Sequence, residues 1–228
     1  MIANVYSKYL VPIVAGTSSL LGENILDIGP LADDYSPFQS TQEQPQAMER
    51  INEFCEISEE KPICIGFGSM PFGRRQEIFQ ALQQLGNPRA ILVGKALEPS
   101  ANVNTDNILH FASIPYPWLF PKISIMICHG GMGVLSSCLR AGIPAVVCPV
   151  MGDQFLTGSL VQGLGLGRQA GTSLNTLTAG ELVDAVRKVR GNQRVFERCR
   201  RVGKRIRGEN FTGAERLSSW IVEQENLQ

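Results

Sequence analysis

The chain has 228 residues, 43% of them apolar, with Lys+Arg and Asp+Glu balanced at 21 each. That length supports one sizeable domain with an extension, and the apolar share excludes disorder as the default. The zero net charge excludes a global electrostatic attraction to nucleic acid or to a membrane.

The six cysteines are Cys55, Cys64, Cys128, Cys138, Cys148 and Cys199, with no C-x-x-C pair and only two histidines beside them. Several lie in apolar runs. The expectation is buried free thiols in a reducing, cytoplasmic setting, with no metal site.

Residues 1–30 are weakly patterned. The run Tyr9–Ala15 is short and broken by Pro12, so it does not read as a signal peptide. No window approaches the ~20 apolar residues of a membrane span, and a soluble protein is expected. Residues 32–45 are polar with two prolines and read as a linker. Residues 46–57 have helical spacing, with Met48, Ile51, Phe54 and Cys55 on one face.

From residue 61 the pattern alternates. Ile63–Phe67 reads as a strand, 74–85 as a helix stopped by Gly86-Asn87-Pro88, and Ala90–Val93 and Ile108–Phe111 as strands. Ile123–Cys128 reads as a strand, followed by a helix to Arg140 that Gly142 caps. Pro144–Cys148 is a further strand, with a helix to about Gln162. Residues 178–190, 193–207 and 212–224 read as three closing helices. Apolar strands alternating with helices predict a Rossmann-like α/β fold, a parallel sheet with helices on both faces. Ligands then belong just beyond the strand ends.

Three strand-end segments stand out: Gly66–Met70, His129–Val134 and Pro149–Gln154. In the second, three glycines between a strand and a helix allow a phosphate to approach backbone N–H groups at a helix N-terminus. His129 could add a donor. The segment matches neither G-x-G-x-x-G nor a P-loop, and a tight turn with a satisfied buried His129 is the competing reading. Asp153 and Gln154 together can accept from and donate to sugar hydroxyls, and Asp153 also suits a helix N-cap. Ser69 fits either a cap or a phosphate contact.

Taken jointly, the stretch Trp118–Gln154 resembles the donor-site signature of GT-B glycosyltransferases of the UDP-glycosyltransferase superfamily. The subgroup it resembles is that of the sterol 3-β-glucosyltransferases and the bacterial enzymes that glycosylate antibiotics. Lys61–Met70 resembles the first donor-domain strand of that subgroup, and Val11–Ser19 the end of its acceptor domain. The resemblance implies that residues 1–60 are an acceptor-domain remnant, linker and lead-in helix. Residues 61–228 would form the donor-binding domain, the C-terminal half of a GT-B fold.

The resemblance also implies roles. Ser69 would contact the diphosphate, and Ile114 would offer its backbone to uracil, with Trp118 nearby. His129 and the N–H groups of Gly131, Met132, Gly133 and Val134 would hold the diphosphate, and Asp153 and Gln154 would read the transferred sugar. The donor would be a UDP-sugar, UDP-glucose first, and the acceptor a hydroxyl of a sterol-like or other small apolar molecule. No obligatory metal or other cofactor is implied. The general base, typically a His, belongs to an acceptor domain, so no catalytic residue is assigned in this chain, and a separate acceptor-domain chain is an expected partner. His110 lies in a strand-like run and reads as a satisfied core or strand-end residue.

The sequence departs from the family pattern in several places. Cys128 stands where His is frequent, Met132 where a small residue is usual, and Val134 where a hydroxyl residue is usual. Ser137 replaces the ribose-gripping Glu of the plant-type variant. Val134 and the missing base keep an alternative open, a non-catalytic nucleotide-sugar-binding or protein-interaction module. Ten of the 21 basic residues, from Arg187 to Arg207, fall in one helical stretch with Glu197 as the only acid. They suggest a contact with an anionic membrane surface, against the plainer reading of a solvated helix face.

Overall fold

Short runs rich in Ile, Val and Leu favour extended backbone when both of their faces are covered, and such runs form five of the six strands of the main sheet. The computed structural model describes residues 44–70 and 72–208, the two-residue strands β1 (Ile2–Ala3) and β2 (Leu26–Asp27), and Val222. The segment Tyr9–Ala15, the resemblance at Val11–Ser19, nearly all of the linker at 32–45 and the helix expected at 212–224 lie outside the described residues. β1 and β2 pair in parallel, Ile2 opposite Leu26.

Helix α1 (Gln44–Glu56) precedes β3 (Ile63–Gly66), α2 (Arg75–Gln84), β4 (Ala90–Val93) and β5 (Ile108–Phe111). The one-turn α3 (Tyr116–Leu119) then leads to β6 (Ile125–Cys128), α4 (Met132–Ala141), β7 (Ala145–Val147), α5 (Gln154–Gly163) and β8 (Gly167–Gln169). Helices α6 (Ala179–Arg190) and α7 (Gln193–Arg207) follow.

All six strands from β3 to β8 are parallel, in the order β5-β4-β3-β6-β7-β8. The chain steps outward from β3 in one direction and from β6 in the other. Right-handed crossovers therefore put α2 on one face and α4 and α5 on the other. The closing helices complete both layers, α6 against α2 and α7 against α4. Residues of β3, β4, β6 and β7 are buried throughout. Each fully buried Ile or Val there is worth about 1.5–3 kcal/mol of removal from water.

The lead-in helix α1 belongs to this same core through Ile51 and Phe54. Arg89 secures it. Its guanidinium donates to the carbonyls of Phe54, Ser58 and Glu60 and lies over the Phe54 ring.

The start of the strands is a closed end. Gly142 takes the left-handed conformation (φ 75°) that ends α4, with its N–H and that of Ile143 returning to Cys138 O. A Cβ on Gly203 of α7 would lie 2.8 Å from the Gly142 backbone, so two glycines set this helix crossing. Half of the basic stretch is put to use in these contacts. Arg198 donates to Leu164 O at the end of α5, Arg207 to Arg140 O near the end of α4, and Arg187 to Gln84 O at the end of α2. Lys188 pairs with Asp184 and Arg190 with Glu60. Cations on helix carbonyl ends meet both the orphan acceptors and the negative end of the dipole.

Five of the cysteines are buried and Cys55 is half-buried, all as free thiols. Burial pushes the Cys128 and Cys199 thiols up to about 12. It raises Cys64, Cys138 and Cys148 as well, so these groups stay protonated core residues. No helix among the described residues is long and apolar enough to cross a membrane.

Candidate functional site

The strand order reverses between β3 and β6, and at such a switch point the connecting loops diverge to opposite faces and leave a crevice beyond the strand ends. Gly66, the last residue of β3, is paired with Cys128, the last of β6. The first two glycine-rich segments therefore leave the sheet side by side.

After β3, the chain turns at Gly68 (φ 61°), with Met70 N–H bonded to Phe67 O at 3.2 Å. Ser69 is exposed at the tip. It lies five residues before Arg74, the N-cap position of α2, so the alternative of a helix cap is removed. A Cβ on Gly66 would lie 2.4 Å from the Tyr116 hydroxyl, so Tyr116 of α3 passes over this strand end, its ring stacked on Phe120 at 5.0 Å.

After β6, Gly130 is left-handed (φ 90°) and Gly131 takes the N-cap position of α4. The His129 ring is folded across both loops. A Cβ on Gly68 would stand 3.4 Å from its Cε1, and one on Gly131 only 2.5 Å from its Nε2. Its Nδ1 is buried without a hydrogen-bond partner, so the reading of a satisfied buried histidine does not hold among the described residues. Burial lowers the pKa of His129, with the Asp153 carboxylate acting in the opposite sense. The ring is therefore uncharged at neutral pH and carries one N–H.

No side chain caps α4. Its first internal bond runs from Leu135 N–H to Gly131 O, which leaves the N–H groups of Met132, Gly133 and Val134 as the open turn of the helix. Val134 contributes no hydroxyl there, and the Ser137 hydroxyl is spent on Gly133 O at 3.0 Å.

After β7, Gly152 (φ 57°) leads to Asp153 and Gln154 at the start of α5. Asp153 occupies the N-cap position and is exposed, but its side chain makes no capping bond, so its carboxylate is uncommitted to the helix. Gln154 is buried, and its Oε1 accepts from the N–H groups of Val150 (2.8 Å) and Met151 (3.2 Å). Its acceptor capacity thus serves its own loop, and what it can offer outward is the amide NH2.

Ile114 and Trp118 lie beyond β5, at the edge of the sheet. The Ile114 side chain is in the core and Trp118 is half-buried, with Lys122 Nζ 4.8 Å from its ring centroid. His110 is a strand-end residue whose Nε2 meets Gly94 O at 3.0 Å. Tyr116 and Thr157 also shape the crevice, and neither is singled out by the sequence. Thr157 had one visible signal, a polar residue on the buried face of a helix.

The comparisons with known proteins agree with this fold. Residues 82–212 match the family profile "Erythromycin biosynthesis protein CIII-like, C-terminal domain", and the chain belongs to that family. Among curated proteins it is 30% identical over 205 residues to the sterol 3-beta-glucosyltransferase of Komagataella phaffii, covering 86% of this chain and 16% of that one. It is 32% identical over 181 residues to the namesake from Kluyveromyces lactis, covering 72% and 14%. Among solved structures it resembles Os79 from O. sativa in complex with U2F and a trichothecene, with TM-score 0.77, 17% identity and coverage of 97% and 54%. It also resembles Arabidopsis thaliana UGT89C1 complexed with UDP, with TM-score 0.76, 15% identity and coverage of 97% and 57%. The chain thus spans about half of the solved structures it resembles and a sixth or less of these curated relatives. It is a C-terminal GT-B domain of that family.

Proposed function

We infer that this domain binds a UDP-sugar, UDP-glucose in the first instance, across the ends of its strands. The observation that carries the reading is the order of the site. Ile114 and Trp118 follow β5, Ser69 follows β3, His129–Val134 follow β6, and Asp153–Gln154 follow β7. Read across the sheet, those are a place for the base, two for the diphosphate and one for the sugar, in the order a nucleotide sugar presents them. From β5 to β7 is four strand steps, or roughly 19 Å at about 4.8 Å each, the scale of an extended nucleotide sugar.

The diphosphate fits the open turn of α4, where N–H groups and the dipole end already point at a ligand. The same fixed donors, with the His129 N–H, would stabilise charge on the departing UDP as the glycosidic bond breaks. Asp153 would accept from sugar hydroxyls and the Gln154 NH2 would donate to them. The sugar would pass to a hydroxyl of a sterol-like or other apolar acceptor whose general base is supplied by the acceptor half. Six free thiols suit a reducing, cytoplasmic location.

Calorimetric titration of UDP-glucose into the chain tests the reading. Binding is expected, and His129→Ala should weaken it about tenfold, or 1.4 kcal/mol. A chain that binds no UDP-sugar overturns it. Val134 favours a second reading, a domain that binds the donor without supporting transfer. Transfer in the presence of an acceptor half decides between the two.

A further inference from the structure

Thr157 is a buried polar side chain on α5, 5% exposed, whose hydroxyl lies within reach of two carbonyls, one in the loop after β6 and one in the first turn of its own helix. Its Oγ1 lies 2.8 Å from Gly130 O and 2.9 Å from Gln154 O. A hydroxyl has one proton, so it donates to one carbonyl at a time and its dipole faces both.

The Gly130 carbonyl belongs to the peptide whose other end is the Gly131 N–H. In a trans peptide these two groups point in opposite directions. A carbonyl held toward α5 therefore turns the Gly131 N–H away from α5. Gly130 is closely packed, since a Cβ there would stand 2.6 Å from Val147 Cγ1 and 2.9 Å from Thr157 Oγ1. The second carbonyl is that of Gln154, in the first turn of α5 beside Asp153.

We propose that Thr157 is a positioning residue for donor binding: its hydroxyl sets the Gly130–Gly131 peptide so that the Gly131 N–H faces the diphosphate, and it ties that peptide to the turn carrying Asp153 and Gln154. The proposal rests on the donor-site reading above. It assigns to one hydroxyl the alignment of the phosphate-holding loop with the sugar-reading turn. Thr157 itself touches neither group of the ligand.

The test is titration of UDP and of UDP-glucose into the whole chain carrying Thr157→Val, Thr157→Ala or Thr157→Ser, with Tm measured for each. Valine keeps the shape and removes the proton, alanine removes both, and serine restores the proton. Valine and alanine should weaken both ligands about tenfold. Serine should stay within about twofold of the parent whatever its Tm, because a role in packing alone would follow the lost methyl and not the hydroxyl. Amide spectra should show the Gly131 resonance displaced in the valine variant and returned in the serine variant.

The ways of failing are distinct. A parent chain that binds neither ligand overturns the donor reading and this proposal with it. A parent that binds, with valine and alanine variants equal to it, overturns the positioning role alone. So does a serine variant as weak as alanine.

Discussion

Where the strands begin, arginines close the helices; where they end, α2, α4 and α5 start bare. Arg89, Arg187, Arg198 and Arg207 take carbonyls at or near the ends of α1, α2, α5 and α4. At the other end α2, α4 and α5 have no side-chain cap, and His129 Nδ1 has no partner. The contrast is not general carelessness about caps, since α6 opens with a full capping box between Thr178 and Glu181, and α7 with Asn192. Among the described residues, the buried side-chain atom without a partner lies where a ligand would meet it, while arginines take up carbonyls at the opposite end.

The two ends should therefore answer mutation differently. The largest effect is expected at the glycine crossing. Gly203→Ala places a methyl 2.8–2.9 Å from the backbone of Gly142 and Leu139, and neither partner is a side chain that can swing aside. Denaturant unfolding should show a loss of about 3 kcal/mol, with donor affinity of the folded protein unchanged. A loss of affinity with intact stability would dissolve the division between the two ends.

Arg89→Ala comes next. It removes the donors to three carbonyls and the contact with the Phe54 ring. A loss of about 2 kcal/mol is expected, with limited proteolysis opening the α1–β3 connection first. Binding should again be spared, because α1 enters β3 at the start of the strand, away from Ser69.

The same contrast governs what could be read from sequence. The apolar runs of β3 to β7 and the helices between them announce themselves, because a buried parallel strand is written in consecutive residues. Strand β8 does not: Gly167-Arg168-Gln169 is a short polar edge strand. Its glycine is required by the Ala145 carbonyl, which a Cβ would approach to 1.8 Å. Tyr116–Leu119 hides as a helix because Pro115 and Pro117 suggest a loop.

At the site, the glycine turns and His129 are local signals. The spent acceptor of Gln154 and the absent cap at Asp153 depend on side-chain direction, and residue types do not carry that. Thr157 contacts Gly130 across 27 positions of chain, so its role exists only once β6 and α5 are brought together.

The smallest effect, and the sharpest test of the open end, is the pH dependence that His129 imposes. Burial lowers its pKa below the ordinary 6.5, so the unfolded chain takes up a proton more readily than the folded one. Stability must then fall as pH drops through 6.5 and level off below the folded value, since in that window the unfolded state binds more protons. Its full benefit of staying neutral is present above 6.5. His129→Gln keeps a polar side chain that does not titrate in this window, so it should flatten the Tm profile between pH 7.5 and 5 while Arg89→Ala shifts the whole profile down without changing its slope. A bound UDP-sugar should reverse the sign at this residue, because a diphosphate beside the ring favours the proton that burial disfavours. The parent chain should therefore bind UDP-glucose more tightly as pH falls, and the glutamine variant should not. Identical slopes in the two proteins, free and bound, would place His129 outside the ligand's reach.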